Sequence, residues 1–201
     1  MIRRHVLELI APGGYEVNHR LQLFDTAESL GESVAAFLME GYQAGDNLLI
    51  IAKPRHFDAV LAALRQCGCF PPEMEGPQRL VALDAADVLH HITRNGEPDP
   101  ALFQRTIKPL VQSLAGSGTL RIYGEVVELL AEEEDLAGAV ALEEMWNDLA
   151  GELRFTLMCG YSSAHFAQSH TMRWLRKVCE RHTHNAASIE DPLGSYLLAS
   201  T

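Results

Sequence analysis

No apolar run in this chain approaches the roughly 20 residues that a bilayer-spanning helix needs. Arg3 and Arg4 precede an apolar stretch, but Glu8 interrupts it at once, which makes a poor signal peptide. Basic residues are outnumbered: 16 Lys and Arg stand against 27 Asp and Glu, a formal charge of −11. An acidic surface repels phosphate backbones, so direct nucleic-acid binding is not expected. The densest basic group, Arg173, Arg176, Lys177 and Arg181, is balanced by Glu180 on the same stretch. Cysteine is scarce: Cys67, Cys69, Cys159 and Cys179 form no Cys-x-x-Cys pair, the pattern of reduced thiols in a cytoplasmic protein. Cys67 with Cys69, and Cys179 with His182 and His184, have loosely metal-like spacing but no matching second pair. His90 and His91 are adjacent, so they point to different faces of a helix. No metal ligand is assigned. A glycine-rich phosphate cradle is missing as well. The joint Leu23-Phe24-Asp25-Thr26-Ala27-Glu28 contains neither glycine nor lysine, and its carboxylates oppose a triphosphate. There is no Gly-x-Ser-x-Gly elbow for a serine nucleophile. No cofactor and no catalytic residue is assigned.

What the chain does have is a rhythm. With 201 residues, 47% of them hydrophobic, it is long enough for one domain with a sizeable core. Five times an apolar run stops at a polar residue and a helical pattern begins: at Phe24-Asp25, Ala52-Lys53-Pro54, Leu83-Asp84, Gly124-Glu125 and Gly160-Tyr161. Strands that hand over repeatedly to helices build a parallel sheet with helices on its faces. The expected fold is therefore α/β, a single three-layer domain with a mainly parallel sheet of five or more strands. Strands are expected at 20–24, 47–52, 79–83, 120–123 and 155–161. Leu48-Leu49-Ile50-Ile51 has the continuous apolar character of a strand covered on both sides. Asp99 as N-cap with Pro100 as first helical residue predicts a helix to about Ala115, kinked at Pro109. Two helices are expected from Glu125 and Asp135, and a last one over 169–181. Residues 1–18 read as an arm with a short helix over 2–10, residues 19–184 as the domain, and residues 185–201 as a loosely held tail.

In parallel sheets ligands bind beyond the carboxyl ends of the strands, so the candidate ligand-binding residues come from the joints. Asp25 and Glu28 have capping-box spacing, a role for Asp25 that is compatible with ligand contact. Asp84 is a similar cap. His56 is either a surface histidine at a helix start or a hydrogen-bonding contact to a ligand. Glu125 follows Tyr123-Gly124, where glycine permits close approach. Glu143 and Trp146 share a helix face; Trp146 reads as core, and a buried Glu143 needs a partner, for which Arg154 and His56 are candidates. Tyr161 either caps the pocket or packs.

The assembled joints resemble a known family, the MEDS sensory domain. The resemblance starts at His19-Arg20-Leu21-Gln22-Leu23-Phe24-Asp25 and continues through Phe37-Leu38-Met39-Glu40-Gly41-Tyr42, Gly45-Asp46 and Ile50-Ile51-Ala52-Lys53-Pro54-Arg55-His56. Tyr123-Gly124-Glu125-Val126-Val127, Leu142-Glu143-Glu144-Met145-Trp146-Asn147-Asp148-Leu149 and Cys159-Gly160-Tyr161 complete it, over about residues 19 to 184. The resemblance implies a RecA/KaiC-like core without the phosphate loop, and a role in sensing small molecules such as hydrocarbon derivatives for signalling or transcriptional regulation. The chain shows no helix-turn-helix and no kinase pattern, so a sensor of this type would pass its signal to a separate partner. The expected function is a non-catalytic cytoplasmic sensory domain that binds a small, apolar or weakly polar ligand at the strand-end edge. One alternative is a protein-interaction scaffold, such as a homodimer formed through the arm or last helix. Another is an enzyme using Glu125, Glu143 and His56 as acid–base groups.

Overall fold

The computed structural model describes residues 18–66, 80–116, 118–188 and 191–201. The proposed arm helix, the first residue of the strand expected at 79–83, Cys67 and Cys69 lie outside these residues.

A six-stranded parallel sheet forms the middle layer, in the order β3-β2-β6-β7-β1-β8. Its strands are β1 (Asn18–Phe24), β2 (Asn47–Ala52), β3 (Leu80–Asp84), β6 (Leu120–Gly124), β7 (Thr156–Ser162) and β8 (His184–Ala187). Between β3 and β6, the two-residue strands β4 (Thr93–Arg94) and β5 (Glu97–Pro98) make a tight hairpin. Its turn residues Asn95 and Gly96 both have positive φ, as a two-residue hairpin turn of this kind requires.

Helices α1 (Ala27–Ala44) and α2 (Pro54–Gln66) cover one face of the sheet. Their contact is close because Gly31 of α1 meets the backbone of Ala59 in α2, where a Cβ would stand 2.8 Å from the Ala59 carbonyl. The opposite face carries α3 (Ala85–Ile92), α4 (Pro100–Ala115), α5 (Val126–Glu132), α6 (Leu136–Glu152) and α7 (Met172–Glu180). This division follows from right-handed crossovers: connections that step toward β3 lie on one face, and those that step toward β8 lie on the other.

Strand alternation then decides where each side chain goes. On β7, Leu157, Cys159 and Tyr161 enter the α5–α6 core, while Met158 enters the α1–α2 core. On β6, Leu120 and Ile122 face α5–α6, and Tyr123 faces α1–α2. Among the described residues no helix is long and apolar enough to cross a membrane.

Two local expectations are corrected. The cap of α1 is Thr26, not Asp25: Thr26 Oγ1 accepts from the Ser29 amide at 3.1 Å, and Ser29 Oγ lies 3.4 Å from the Thr26 amide. Both Asp25 and Thr26 have a residue three positions on that completes the motif, so spacing did not discriminate between them. The segment after Thr183 is not loose. His184–Ala187 adds β8 to the sheet beside β1, and α8 (Pro192–Ala199), capped by the buried Asp191, packs Leu197 into the core.

Candidate functional site

At the carboxyl edge of the sheet, four joints surround a cleft of about 230 Å3. Phe24, Asp25 and Ala27 come from the end of β1 and the start of α1, and Arg55 and His56 from the first turn of α2. Glu128 and Glu132 come from α5, and Ser162 and His165 from the end of β7 and the 3-10 turn Ser163–Phe166. The connections of β1 and β2 leave over one face and those of β6 and β7 over the other, and such a divergence opens a crevice at strand ends.

Behind His56 of the cleft lies a buried hydrogen-bonded cluster. Glu125 is completely buried, and its carboxylate accepts from His56 Nδ1 at 2.6 Å, from Tyr123 Oη at 2.9 Å and from the Lys53 amide. Three donors satisfy a carboxylate that would otherwise carry a large burial cost. Burial, followed by the Glu125 charge, pushes the Tyr123 phenol well above its ordinary value, so it stays a donor. Pro54 is the first residue of α2, which places His56 in the first turn of that helix; the His56 ring also stands edge-on to Phe24 at 5.4 Å.

The cleft wall is charged and polar. Glu128 is buried, and its Oε2 accepts from the Ser162 amide at 2.9 Å and from His165 Nε2 at 3.1 Å. Lys53 Nζ lies 2.9 Å from Glu132 and 3.7 Å from Glu128, and Arg55 reaches Glu132 at 3.5 Å. Released from capping, Asp25 is exposed at the rim, where it accepts from Ser29 Oγ at 3.2 Å.

A second polar cluster lies between the sheet and the α5–α6 layer. Glu143 of α6 is fully buried, and its carboxylate accepts from Tyr161 Oη at 2.9 Å and faces Cys159 Sγ at 3.3 Å and His19 Nε2 at 3.2 Å. His182 Nε2 approaches the other oxygen at 3.5 Å. Burial acts to raise the Glu143 carboxyl, but His182, His19 and the Tyr161 hydroxyl outweigh it and hold the group at about 2. Burial, reinforced by His19, takes His182 down to about 4 against the pull of Glu143, so its imidazole is neutral. His19, Glu143, Cys159 and His182 each offer an atom of metal-ligating type, and these atoms all lie within 4.8 Å of one another.

The sequence-derived candidates therefore separate. Asp25 and His56 line the cleft; Glu125 does not, but is bonded to His56 behind it. Glu143 and Tyr161 belong to the second cluster, inside the α5–α6 face, and do not line the cleft. The partners of Glu143 are thus His19, His182, Cys159 and Tyr161 rather than Arg154 or His56. Trp146 is core, edge-on to Phe103 at 5.1 Å and to Phe155 at 6.0 Å. Asp84 caps α3 through the Ala86 amide at 2.7 Å and does not line the cleft. Sequence reasoning missed Glu128, Ser162 and His165 in the cleft; Glu128 sits where an exposed helix-start acid is the ordinary reading. The MEDS family model (MEthanogen/methylotroph, DcmR Sensory domain) matches residues 18–182.

The chain belongs to the MEDS family. That match takes in all four joints around the cleft as well as His19, Glu143, Cys159 and His182, and the family is one of sensory domains. A search of curated proteins finds no match to this MEDS chain.

Proposed function

We propose that this MEDS domain is a cytoplasmic, non-catalytic sensor whose small-molecule site is the strand-end cleft, with output to a separate signalling partner. The cleft itself carries this reading: side chains from four joints converge where parallel α/β sheets receive ligands. At about 230 Å3 it is smaller than the roughly 300–1,000 Å3 of sites for drug-sized ligands, so the ligand is a compact molecule. Phe24 and Ala27 supply an apolar wall, and Arg55, His56, Ser162 and His165 supply hydrogen-bonding groups. That combination, beside the carboxylates of Asp25, Glu128 and Glu132, favours an uncharged, weakly polar ligand, such as a short hydrocarbon bearing a hydroxyl or halogen group.

A ligand in the cleft would touch the starts of α1 and α2, the exposed side of α5 and the turn after β7. Its binding energy would bias the relative placement of helices on the two faces of the sheet, and that shift is the signal. An acid–base enzyme built on Glu125, Glu143 and His56 is disfavoured, because Glu143 stands on the opposite face from the other two.

Thermal-shift and calorimetric screening of short alcohols and haloalkanes tests the proposal. At least one compound is expected to raise the melting temperature, and Arg55→Ala combined with His165→Ala is expected to abolish the shift without changing the fold. No stabilisation of the wild type by any compound, or a shift that survives the double substitution, would overturn it.

A further inference from the structure

We propose that His19, Glu143, Cys159 and His182 form a closed four-ligand site for a divalent transition metal of the zinc type. The strand-end cleft plays no part in this, since none of these four residues lines it.

Geometry is the first support. The contacts among the four ligand atoms are 3.2 Å from His19 Nε2 to Glu143 Oε2, 3.3 Å from His19 Nε2 to Cys159 Sγ and 3.3 Å from Cys159 Sγ to Glu143 Oε2. His182 Nε2 lies 3.5 Å from Glu143 Oε1. A tetrahedron with metal–nitrogen and metal–oxygen bonds near 2.0 Å and a metal–sulfur bond near 2.3 Å has edges of about 3.3–3.7 Å. The three spacings among His19 Nε2, Cys159 Sγ and Glu143 Oε2 are close to such edges, and His182 Nε2, within 4.8 Å of the other ligand atoms, would close in to complete the fourth corner.

The second support is the direction of the lone pairs. His182 Nδ1 lies 2.6 Å from the Val178 carbonyl, which can only accept, so Nδ1 carries the hydrogen and Nε2 is a bare lone pair. That Nε2 is buried and has no hydrogen-bond partner. His19 Nδ1 donates to Asn147 Oδ1 at 2.9 Å; the amide is oriented by its own NH2, which donates to the Arg181 carbonyl at 2.9 Å. Both imidazoles therefore present Nε2 inward, held by a hydrogen bond on the other ring nitrogen, as is usual for histidines that ligate metals. Tyr161 Oη holds the carboxylate from outside. A buried imidazole lone pair aimed at a carboxylate is unfavourable unless a cation lies between them.

Charge balance is the third support. One thiolate, one carboxylate and two neutral imidazoles cancel a divalent ion, leaving no net charge in the interior. Thiolate and imidazole together favour zinc-type ions over calcium or magnesium. All four side chains are buried and supply four ligands, so the site is closed and structural rather than open and catalytic. The ion would tie together β1, α6, β7 and the turn between α7 and β8. It would thereby fasten the strand-and-helix end of the chain to the sheet centre.

The test is cobalt substitution of the full-length protein after chelator dialysis. One equivalent of Co2+ is expected to give the strong visible bands of four-coordinate cobalt together with a near-ultraviolet thiolate-to-cobalt band, and one equivalent of Zn2+ should erase both. Cys159→Ser is expected to remove the ultraviolet band and His182→Ala to abolish stoichiometric binding. Asn147→Ala, which touches no ion, should weaken binding by about 10–100-fold. His184→Ala should change nothing. For a variant that does not fold, the readout is the melting temperature of the chelated wild type with and without Zn2+, expected to rise on addition. Absence of both the cobalt bands and the zinc-dependent rise in folded wild type would overturn the site and leave a proton-sharing network. Full cobalt spectra in folded Cys159→Ser and His182→Ala would overturn it equally, by placing the ion elsewhere.

Discussion

The imidazole of His56 lies 2.6 Å from the carboxylate of Glu125, and the pair ties the start of α5 to the start of α2 behind the strand-end cleft. Glu125 starts the connection that runs over the α5–α6 face, but its carboxylate turns to the α1–α2 side, where it meets the Tyr123 hydroxyl and His56 of α2. Their bond bridges the two layers at the carboxyl edge.

Removing the acid should therefore cost more than an ordinary polar truncation. Glu125→Ala leaves His56, the Tyr123 hydroxyl and the Lys53 amide without their shared acceptor. A loss of about 3–5 kcal/mol is expected, read as a lower urea midpoint with an unchanged m-value. A change below about 1 kcal/mol would show that water replaces the carboxylate freely.

Gly160 makes room for Tyr123. A Cβ at position 160 would lie 2.6 Å from the Tyr123 hydroxyl oxygen and 3.2 Å from a ring carbon. Gly160→Ala should destabilise by about 1–3 kcal/mol through overpacking. Tyr123→Phe removes the nearest atom, so the double variant should be less destabilised than the sum of the two singles. Strict additivity in chemical denaturation would refute the contact.

Asp99 gives a pH signature. The Leu102 amide, and then Arg94, hold its carboxyl below the ordinary value of 3.8. A lowered folded-state value contributes stability that is fully present above the unfolded value and lost as pH falls through the folded one. Asp99→Asn should thus melt lower than wild type at neutral pH, with the gap closing progressively at and below pH 4. A gap independent of pH would show that the charge does not matter to the cap.

Deleting residues 184–201 should be damaging. The deletion strips β8 from β1, exposes the β1 edge and removes Leu197 from the core. A loss on the order of 5 kcal/mol corresponds to about 10–20 °C in melting temperature for a domain of this size. Light scattering should also show self-association through the exposed edge. A monomer melting within 2 °C of wild type would contradict the packing described for β8 and α8.

Much of this architecture was legible in advance, wherever the signal was local. β2 runs over Asn47–Ala52 as its unbroken apolar pattern predicts, and Asp99, Pro100 and Asp135 open their helices as capping rules require. β8 escaped notice because His184-Asn185-Ala186-Ala187 is four residues long, polar at its start and without alternation. It is a strand because β1 is beside it, and nothing in those four residues says so.

Periodicity and turn chemistry alone were enough for the parallel α/β layering, because it follows from short-range rules about helices, strands and their order. They could not tell that Glu125 and Glu143 occupy opposite faces of the sheet, nor that His19, Glu143, Cys159 and His182 meet at one point. Those facts depend on strand register and on which face each crossover covers. Alternation sends neighbouring side chains to opposite sides, and residues as far apart as 19 and 182 become neighbours only once the whole sheet has assembled.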